Sequence, residues 1–271
     1  MPASLSDVLA TLQRLAPLSF AESWDNVGLL LEPVPVVEAA PVACALLTID
    51  LSDEVVSEAE ELGASLIIAY HPPIFQGLKR LRSSMPGERA LLRCAARGIA
   101  IFSPHTALDA APGGVNDWLL DAFGPGERCP CLPHAADPRF GQGRCVRLAM
   151  PLTLSTAVAR IKRHLGLQHL RVAAAAGHAD GTRSLHSVAV CAGAGGSVFE
   201  KLSGFDLYVT GEMRHHDVRA RVAEGASVVL SEHTHTERGY LQILSDWLRA
   251  GTGGSLTFHV SRRDRDPLSI E

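Results

Sequence analysis

Short apolar runs alternate with amphipathic segments along most of the chain. The runs at 42–49, 66–69 and 99–102 have the length of β-strands, and each is almost entirely apolar. Segments with apolar residues at helical spacing lie between and after them, as at 53–62 and 89–96. Strands that are apolar on both faces are typical of parallel sheets covered by helices. The pattern therefore predicts an α/β fold.

A second series of strand-like and helical segments begins at Cys145 and follows a similar order of elements. Between the two series, residues 124–143 are rich in Pro, Gly and polar residues and show no periodicity, so we interpret them as a crossing between lobes. We predict two similar α/β lobes with mostly parallel sheets covered by helices. The metal-binding lobe is predicted to comprise 1–125 plus 230–271, and the second lobe 126–229.

The composition limits the class of protein. The formal net charge is −4 and the 25 Lys and Arg residues are scattered, so we expect no surface that binds nucleic acid. The six cysteines form no CxxC pair and are typical of reduced, mostly buried thiols in a cytosolic protein. No apolar run reaches the about 18 residues that a membrane-spanning helix needs. We therefore expect a cytoplasmic protein that does not bind membranes.

Titratable side chains follow several predicted strands at the point where each strand ends. In open parallel sheets, ligands bind beyond these carboxyl ends, where loops from several strands meet. Imidazoles and carboxylates without a thiolate are typical ligands of zinc, manganese or iron(II) in a catalytic site. The residues at these strand ends are Asp50, Tyr70, His71, His105, Asp109, Glu212, His215, His216, His233 and Glu237.

The stretch from Ser231 to Gly239 allows two interpretations. If a helix begins by His233, then His233 and Glu237 lie four residues apart on one helical face, where an imidazole and a carboxylate can bind one metal ion. Alternatively, Thr234 and Glu237 match the S/T-x-x-E capping box, in which the carboxylate only accepts a hydrogen bond from a backbone N–H group. The segment alone leaves both interpretations open.

The other candidates also have purely structural interpretations. His71 precedes two prolines and fits a turn, whereas Asp109 fits the N-cap of the next helix. His215 and His216 fit a solvated helical turn. The glycine-rich segment 193–197 lacks the spacing of a phosphate-binding or dinucleotide-binding motif, so we interpret it as tight packing, with anion binding as the alternative.

Five short motifs of this chain occur in the same order in a known family. They are Ser23–Leu29, His71–Phe75, His105–Asp109 followed by Gly114–Asn116, Thr210–Glu212 and His233–Gly239. Together they resemble the family named both Ngg-interacting factor three-like and GTP cyclohydrolase I type 2 homologue, and the resemblance covers nearly the whole chain. It implies a toroidal homo-hexamer of α/β subunits with a dinuclear metal centre that faces an internal cavity.

The resemblance also implies the ligands of that centre. Carried over to this sequence, they are Tyr70, His71, Asp109, His233 and Glu237. Tyr70 stands where many bacterial members have a histidine, and the Tyr-His-Pro-Pro sequence resembles that of eukaryotic-type members. Neutral tyrosine is a poor metal ligand, so the number of ions expected is one or two. The ions expected are divalent transition metals: zinc, iron or manganese. A water molecule or His105 is the alternative to Tyr70 as a ligand.

The resemblance and the titratable residues together lead to the hypothesis of a metal-dependent hydrolase. Its substrate would be a nucleotide or another small phosphorylated compound, as the label GTP cyclohydrolase I type 2 implies, although no residue identifies guanine. Glu237 and Asp109 are the candidates to bridge two ions. His105, Glu212 and His215 are the candidate catalytic residues, with His216 as the alternative to His215, because imidazoles and tuned carboxylates carry protons near neutral pH.

A different class of function is kept as the alternative. The metal centre would then serve structure or sensing in a non-catalytic regulatory or adaptor protein, and the family name itself refers to a protein interaction. The expected partners are a small-molecule substrate and further copies of the chain in a homo-hexamer, with a protein partner under the alternative. We expect no direct contact with nucleic acid or membranes.

Overall fold

Two β-sheets covered by helices organise the computed structural model of the protein, which describes residues 4–34, 42 and 44–269. The predicted α/β fold class is therefore confirmed. Within the described residues, no helix is both long enough and apolar enough to span a membrane.

The chain divides into two compact units. These are Met1–Leu108 with Tyr240–Pro267, and Asp109–Gly239 with Leu268–Glu271. The predicted metal-binding lobe instead extended to residue 125 and resumed at residue 230. In the structure, Asp109, His233 and Glu237 belong to the second unit.

The helices and strands follow one another as the alternating pattern predicts. The α-helices are α1 Leu5–Leu15, α2 Asp53–Leu62, α3 Pro86–Ala96, α4 His105–Ala110, α5 Val115–Leu120, α6 Leu154–Leu165, α7 Ala176–Ala179, α8 Gly196–Phe199, α9 His215–Ala223 and α10 Tyr240–Gly251. The strands are β1 Gly28–Leu31, β2 Cys44–Thr48, β3 Leu66–Ala69, β4 Ala100–Ser103, β5 Gly126–Pro133, β6 Gly141–Leu152, β7 Arg171–Ala173, β8 Leu185–Cys191, β9 Leu207–Thr210, β10 Ser227–Leu230 and β11 Thr257–Val260. Short 3-10 turns span Leu18–Phe20, Asp121–Phe123 and Thr234–Thr236.

The sheet of the first unit has the strand order β1-β4-β3-β2-β11. Strands β11, β2, β3 and β4 are parallel, and β1 is antiparallel to β4. Every residue of β2, β3 and β4 is buried, which explains the uninterrupted apolar runs in the sequence. Helices α2 and α3 pack onto these strands through Val55, Val56, Ala90 and Leu91.

The sheet of the second unit has the order β5-β6-β8-β9-β10-β7. Its centre is parallel from β8 to β10, and antiparallel strands extend it at both ends. The interpretation of residues 124–143 as an irregular crossing is wrong, because they contain β5 and the start of β6. Pro130 is tolerated there because β5 is an edge strand, where a missing N–H group breaks no central ladder.

A buried carboxylate ties β8 to β9 in the second unit. Asp206 accepts hydrogen bonds from the backbone N–H groups of His186 and Ser187 at 2.9 and 3.1 Å, and from Arg183 Nη2 at 2.7 Å. Burial acts to raise the pKa of the Asp206 carboxyl, but these hydrogen bonds and the Arg183 charge outweigh it and hold the pKa below its usual range.

Replacing Asp206 by asparagine should lower the free energy of unfolding by about 1.5 to 3 kcal/mol at neutral pH, because charged hydrogen bonds are lost. The folded pKa lies below that of an unfolded aspartate, so the contribution is complete above an unfolded pKa of about 3.9 and is lost as the pH falls through the folded pKa. In urea unfolding, the difference between wild type and variant should therefore shrink below about pH 4.

The matched control is Asp180→Asn, because Asp180 is exposed and its carboxylate accepts hydrogen bonds from the nearby Thr182. It should change stability little at any pH. A difference for Asp206→Asn that stays constant down to the lowest pH would contradict the role given to the Asp206 charge.

Candidate metal centre

His71 is held in place by a carboxylate at the end of the neighbouring parallel strand. Asp50 follows β2 and His71 follows β3, and these strands are paired in parallel. The Nδ1 atom of His71 lies 2.9 Å from Asp50 Oδ1. A carboxylate at Nδ1 fixes the ring orientation and favours Nε2 as the nitrogen that binds a metal. His71 therefore lies at a strand end, and its contact with Asp50 is the kind that orients a metal-binding histidine.

His105 has the same kind of partner from a different part of the first unit. Its Nδ1 atom lies 2.8 and 2.9 Å from the two carboxylate oxygens of Asp25, which also accepts a hydrogen bond from the Thr106 backbone N–H at 3.1 Å. The Asp25 side chain is 0% exposed. Burial acts to raise the pKa of Asp25, but the hydrogen bonds of His105 and Thr106 and the His105 charge lower it further than burial raises it.

Three rings of the first unit form a cluster at this strand end. The ring centroids of His71 and His105 are 5.4 Å apart. The ring centroid of Tyr70 lies 5.3 Å from that of His71 and 5.8 Å from that of His105. Tyr70 is buried, so its ring packs against both imidazoles. In this unit the structure therefore brings together three of the predicted residues, Tyr70, His71 and His105.

His233 and Glu237 lie on a 3-10 turn directly after β10 in the second unit. The condition that a helix begins by His233 is not met, because the 3-10 turn Thr234–Thr236 follows His233 and the next α-helix begins at Tyr240. The side chain of Thr236 explains the tight turn, since its hydroxyl donates to the His233 carbonyl oxygen at 2.6 Å and accepts from the Gly193 N–H group at 2.7 Å. The capping-box geometry also requires a helix start that this turn does not provide.

The tight turn still brings the two predicted ligands together. His233 Nε2 lies 3.5 Å from Glu237 Oε1, and His233 Nδ1 lies 3.4 Å from Glu212 Oε1. Glu237 is only 3% exposed, whereas Glu212 is half exposed. His233 and Glu237 are members of a set of histidine and glutamate side chains whose ligand atoms are close enough to hold a metal ion.

Asp109 lies in the same part of the second unit. Burial and the negative charges of Asp109 and Glu237 together raise the pKa of the Cys191 thiol, so both carboxylates act on one buried group. The backbone carbonyl of Asp109 accepts a hydrogen bond from Asn116 Nδ2 at 3.1 Å. The alternative role of Asp109 as a helix cap is not observed, because the N-cap of α5 is Gly114 and it has no side-chain capping bond.

Gly193 brings the backbone of the β8–α8 connection against the His233–Glu237 pair. A Cβ atom on Gly193 would lie 2.8 Å from His233 Nε2 and 2.9 Å from Glu237 Oε1. Its φ angle of +62° is also in the left-handed region that favours glycine. This close approach agrees with tight packing as the role of the glycine-rich segment.

Replacing Gly193 by alanine should lower the free energy of unfolding by about 1 kcal/mol more than replacing Gly63, the low end of overpacking costs, because the new Cβ has to displace the ends of the His233 and Glu237 side chains. Gly63 is a matched control, since its φ angle is +66° and a Cβ atom there would meet nothing within 4 Å. Both changes carry the same left-handed backbone penalty of about 1 to 2 kcal/mol. Equal losses in chemical denaturation would contradict the contact.

The predicted catalytic residues have different surroundings. His105 contacts Asp25, and Glu212 contacts His233, as described above. His215 and His216 begin α9, where both are exposed and their ring centroids are 5.5 Å apart. His215 lines a separate small cavity of about 230 Å³. Sequence reasoning overlooked Asp25 as a partner of His105, because the Asp25-Asn26 sequence also fits a turn. The position of Asp25 within the motif Ser23–Leu29 was the feature that could have indicated its role.

Comparison with known proteins identifies the family. The sequence profile of Duf34/NIF3 (NGG1p interacting factor 3) matches residues 3–267. The protein NIF3 homolog of Schizosaccharomyces pombe is 43% identical over 263 residues, which cover 92% of this chain and 91% of the relative. NIF3-like protein 1 of Rattus norvegicus is 34% identical over 357 aligned residues, with 98% and 92% of the two chains covered.

A solved structure shows the same fold. The crystal structure of a Bacillus cereus protein related to NIF3 superposes with a TM-score of 0.88 and 20% sequence identity, and the match covers 100% of both chains. The family resemblance that the five ordered motifs indicated is thereby confirmed. This chain belongs to the Duf34/NIF3 family.

Proposed function

We propose that this protein is a metal-dependent hydrolase that acts on a nucleotide or another small phosphorylated compound. The observation that carries the proposal is the position of His233 between the carboxylates of Glu237 and Glu212, with Asp109 acting on the same buried thiol as Glu237. Nitrogen and oxygen ligands without a thiolate suit zinc, manganese or iron(II) in a catalytic centre. The family resemblance adds His71 and the weaker candidate Tyr70 to the ligands.

A divalent ion held by these residues would lower the pKa of a coordinated water toward about 7 and polarise a phosphoryl or carbonyl oxygen. The protein side chains have separate tasks in this proposal. Glu237, which is buried, and Asp109 hold the ion, and the contact with Glu212 orients the His233 ring. His105, fixed at Nδ1 by Asp25, carries a proton at Nε2. The exposed Glu212 and His215 are further proton carriers.

A cavity beside Glu212 has room for a small substrate. Its volume of about 650 Å³ is within the usual range for small-molecule sites. Arg171 and Arg214 line it, and guanidinium groups are well suited to phosphate oxygens. The cavity is also lined by the carboxylates of Glu200, Glu212, Asp217 and Glu232, which would repel a phosphate unless a bound cation offset their charge. Both arginines form ion pairs, Arg171 with Glu232 and Arg214 with Glu200. A phosphate would therefore compete with these carboxylates for the guanidinium N–H groups.

The test is a panel of nucleotides, including GTP, and simple phosphoesters, assayed with protein stripped of metal and reloaded with Zn²⁺, Mn²⁺ or Fe²⁺. Turnover should require metal and should fall at least about 100-fold in His233→Ala and Glu237→Gln, whereas replacing the exposed His169 by alanine should retain it. Metal binding without any metal-dependent turnover would overturn the hydrolase proposal and leave the second candidate.

The second candidate is a non-catalytic metal-binding regulatory or adaptor protein. It is favoured by the description of the family as NGG1p interacting factor 3, which names a protein interaction and no reaction. Under this candidate the same residues bind metal, but substitution changes the capture of a protein partner rather than turnover.

The assembly and the number of ions also remain part of the proposal. The family resemblance implies a homo-hexamer with one or two ions per chain in a cytoplasmic protein. Light scattering during gel filtration should then give six times the 28.9 kDa chain mass. Metal analysis of the same fractions gives the number of ions per chain, and a monomeric mass would contradict the hexamer.

A further inference from the structure

Three cysteines lie together on β5 and β6, at an edge of the second sheet and apart from the proposed metal ligands. Cys129 and Cys145 are directly opposite each other in the antiparallel register of β5 and β6. Their Sγ atoms are 3.1 Å apart. Cys131 is two residues farther along β5, and its thiol hydrogen-bonds to Cys145. Such a cluster brings one sulfur atom, that of Cys145, into contact with two others.

The backbone already has a geometry that a disulfide between Cys129 and Cys145 can use. Opposed residues of antiparallel strands have Cα atoms about 4.5 to 5.5 Å apart. Disulfides join Cα atoms about 4.4 to 6.8 Å apart, with an S–S length of about 2.05 Å. The two sulfur atoms therefore have to approach by only about 1 Å, which small side-chain rotations supply.

A cavity gives small molecules access to this pair. It has a volume of about 630 Å³, and both Cys129 and Cys145 line it, together with Arg128 and Arg147. Cys129 is exposed, whereas Cys131 and Cys145 are buried. The exposed partner and the cavity distinguish this pair from Cys44 and Cys94, which are buried in the core of the first unit.

We propose that Cys129 and Cys145 form a reversible disulfide when the protein meets a low-molecular-weight disulfide such as oxidised glutathione. The Cys145 thiolate attacks one sulfur of the small disulfide, whose S–S bond breaks and releases one thiolate. The Cys129 thiol then loses its proton to water and attacks the Cys145 sulfur, and the second small thiolate leaves and is protonated. Two protein thiols are oxidised and one small disulfide is reduced to two thiols.

The surroundings of Cys145 favour its role as the attacking sulfur. Hydrogen bonding by Cys131, followed by that of Cys129 and the charge of Arg144, outweighs burial and lowers the pKa of Cys145 to about 6. The thiolate is the nucleophile in thiol–disulfide exchange, so the lowered pKa favours Cys145 over Cys129 as the attacking sulfur. Partial desolvation of its sulfur atom and the contact with Cys145 raise the pKa of Cys129, which makes it the second thiol to react.

The experiment uses the reduced full-length protein, incubated with oxidised glutathione, quenched with acid and alkylated under denaturing conditions. Thiol counting should show the loss of two of the six free thiols, and peptide mapping without reductant should find Cys129 joined to Cys145. Dithiothreitol should restore all six. Cys129→Ser should abolish the linked peptide, and because Cys129 is exposed this variant should fold normally. Cys44→Ser is the matched control and should still lose two thiols.

Three results would overturn the proposal. One is the retention of all six thiols after treatment. Another is a glutathione adduct that stays on Cys129 and never gives way to a linked peptide. The third is a linked peptide that contains Cys131 in place of Cys129 or Cys145. Cys145→Ala provides a second measurement, since it should also prevent the link while circular dichroism reports whether the variant is folded.

Discussion

Replacing His233 by alanine should weaken the binding of Zn²⁺ by about 100-fold or more, because even the outer partners of metal ligands are worth about 10- to 100-fold in affinity. Zn²⁺ is a suitable probe, since nitrogen and oxygen sites bind it more tightly than manganese or iron(II). Affinity would be measured by competition with a chelator of known strength, starting from metal-free protein. His216→Ala is the matched control, because it removes an exposed histidine and should leave the affinity unchanged.

Glu237→Gln tests the second ligand at nearly constant side-chain volume. Glu237 is buried, so the amide fills the same space and the protein should remain folded, while the negative charge that attracts the ion is lost. The loss of affinity should resemble that of His233→Ala. Glu212→Gln should have a smaller effect, because the exposed Glu212 only contacts the His233 ring. Unchanged affinity in both the His233 and the Glu237 variants would rule out this pair as a metal site.

Arg144→Ala should lower the free energy of unfolding by about 3 to 5 kcal/mol, which is the cost of breaking a buried charged network by removing one partner. Arg144 is 2% exposed. Its guanidinium donates to Asp117 Oδ2 at 3.0 Å and to the carbonyl oxygens of Ala110, Ala111 and Gly141 at 3.0, 2.9 and 2.7 Å. Truncation removes the guanidinium donor from the carbonyl oxygens of the buried residues Ala110, Ala111 and Gly141.

The measurement is equilibrium unfolding in guanidinium chloride, followed by circular dichroism. Arg128→Ala is the matched control, because Arg128 bonds to Asp121 near the surface and such pairs contribute about 0 to 1 kcal/mol. Losses of similar size in the two variants would contradict the structural importance of the buried network. Since Arg144 also fixes Ala110, the residue after Asp109, its loss should secondarily weaken metal binding.

The positions of the candidate residues at strand ends could be predicted from sequence because burial leaves a local pattern. The apolar runs that became β2, β3 and β10 are short, and each is followed within a few residues by a titratable side chain. Parallel strands point their carboxyl ends toward one edge of a sheet, so Asp50 and His71 meet. The local pattern and the rule for parallel sheets are sufficient for this part of the site.

Contacts between distant parts of the sequence could not be predicted in this way. Asp25 and His105 are separated by 80 residues, and nothing in the sequence near either one specifies the other. The strand β5 was overlooked because the prolines and glycines of residues 124–143 resemble a loop, and only the position at a sheet edge makes Pro130 acceptable. The 3-10 turn at Thr234–Thr236 likewise depends on the Gly193 N–H group, which comes from another strand end.

Among the residues that the structure describes, two other than glycine have left-handed backbone conformations: His105, with φ of 27°, and Glu232, which precedes His233, with φ of 65°. A left-handed conformation costs a residue other than glycine about 1 to 2 kcal/mol, so these two segments oppose their own backbone preference. The surrounding hydrogen bonds have to supply that energy, through Asp25 at His105 and through the Arg171 ion pair at Glu232. Partial unfolding of either segment would release this energy, so we expect these loops to exchange their amide protons before the sheets beneath them.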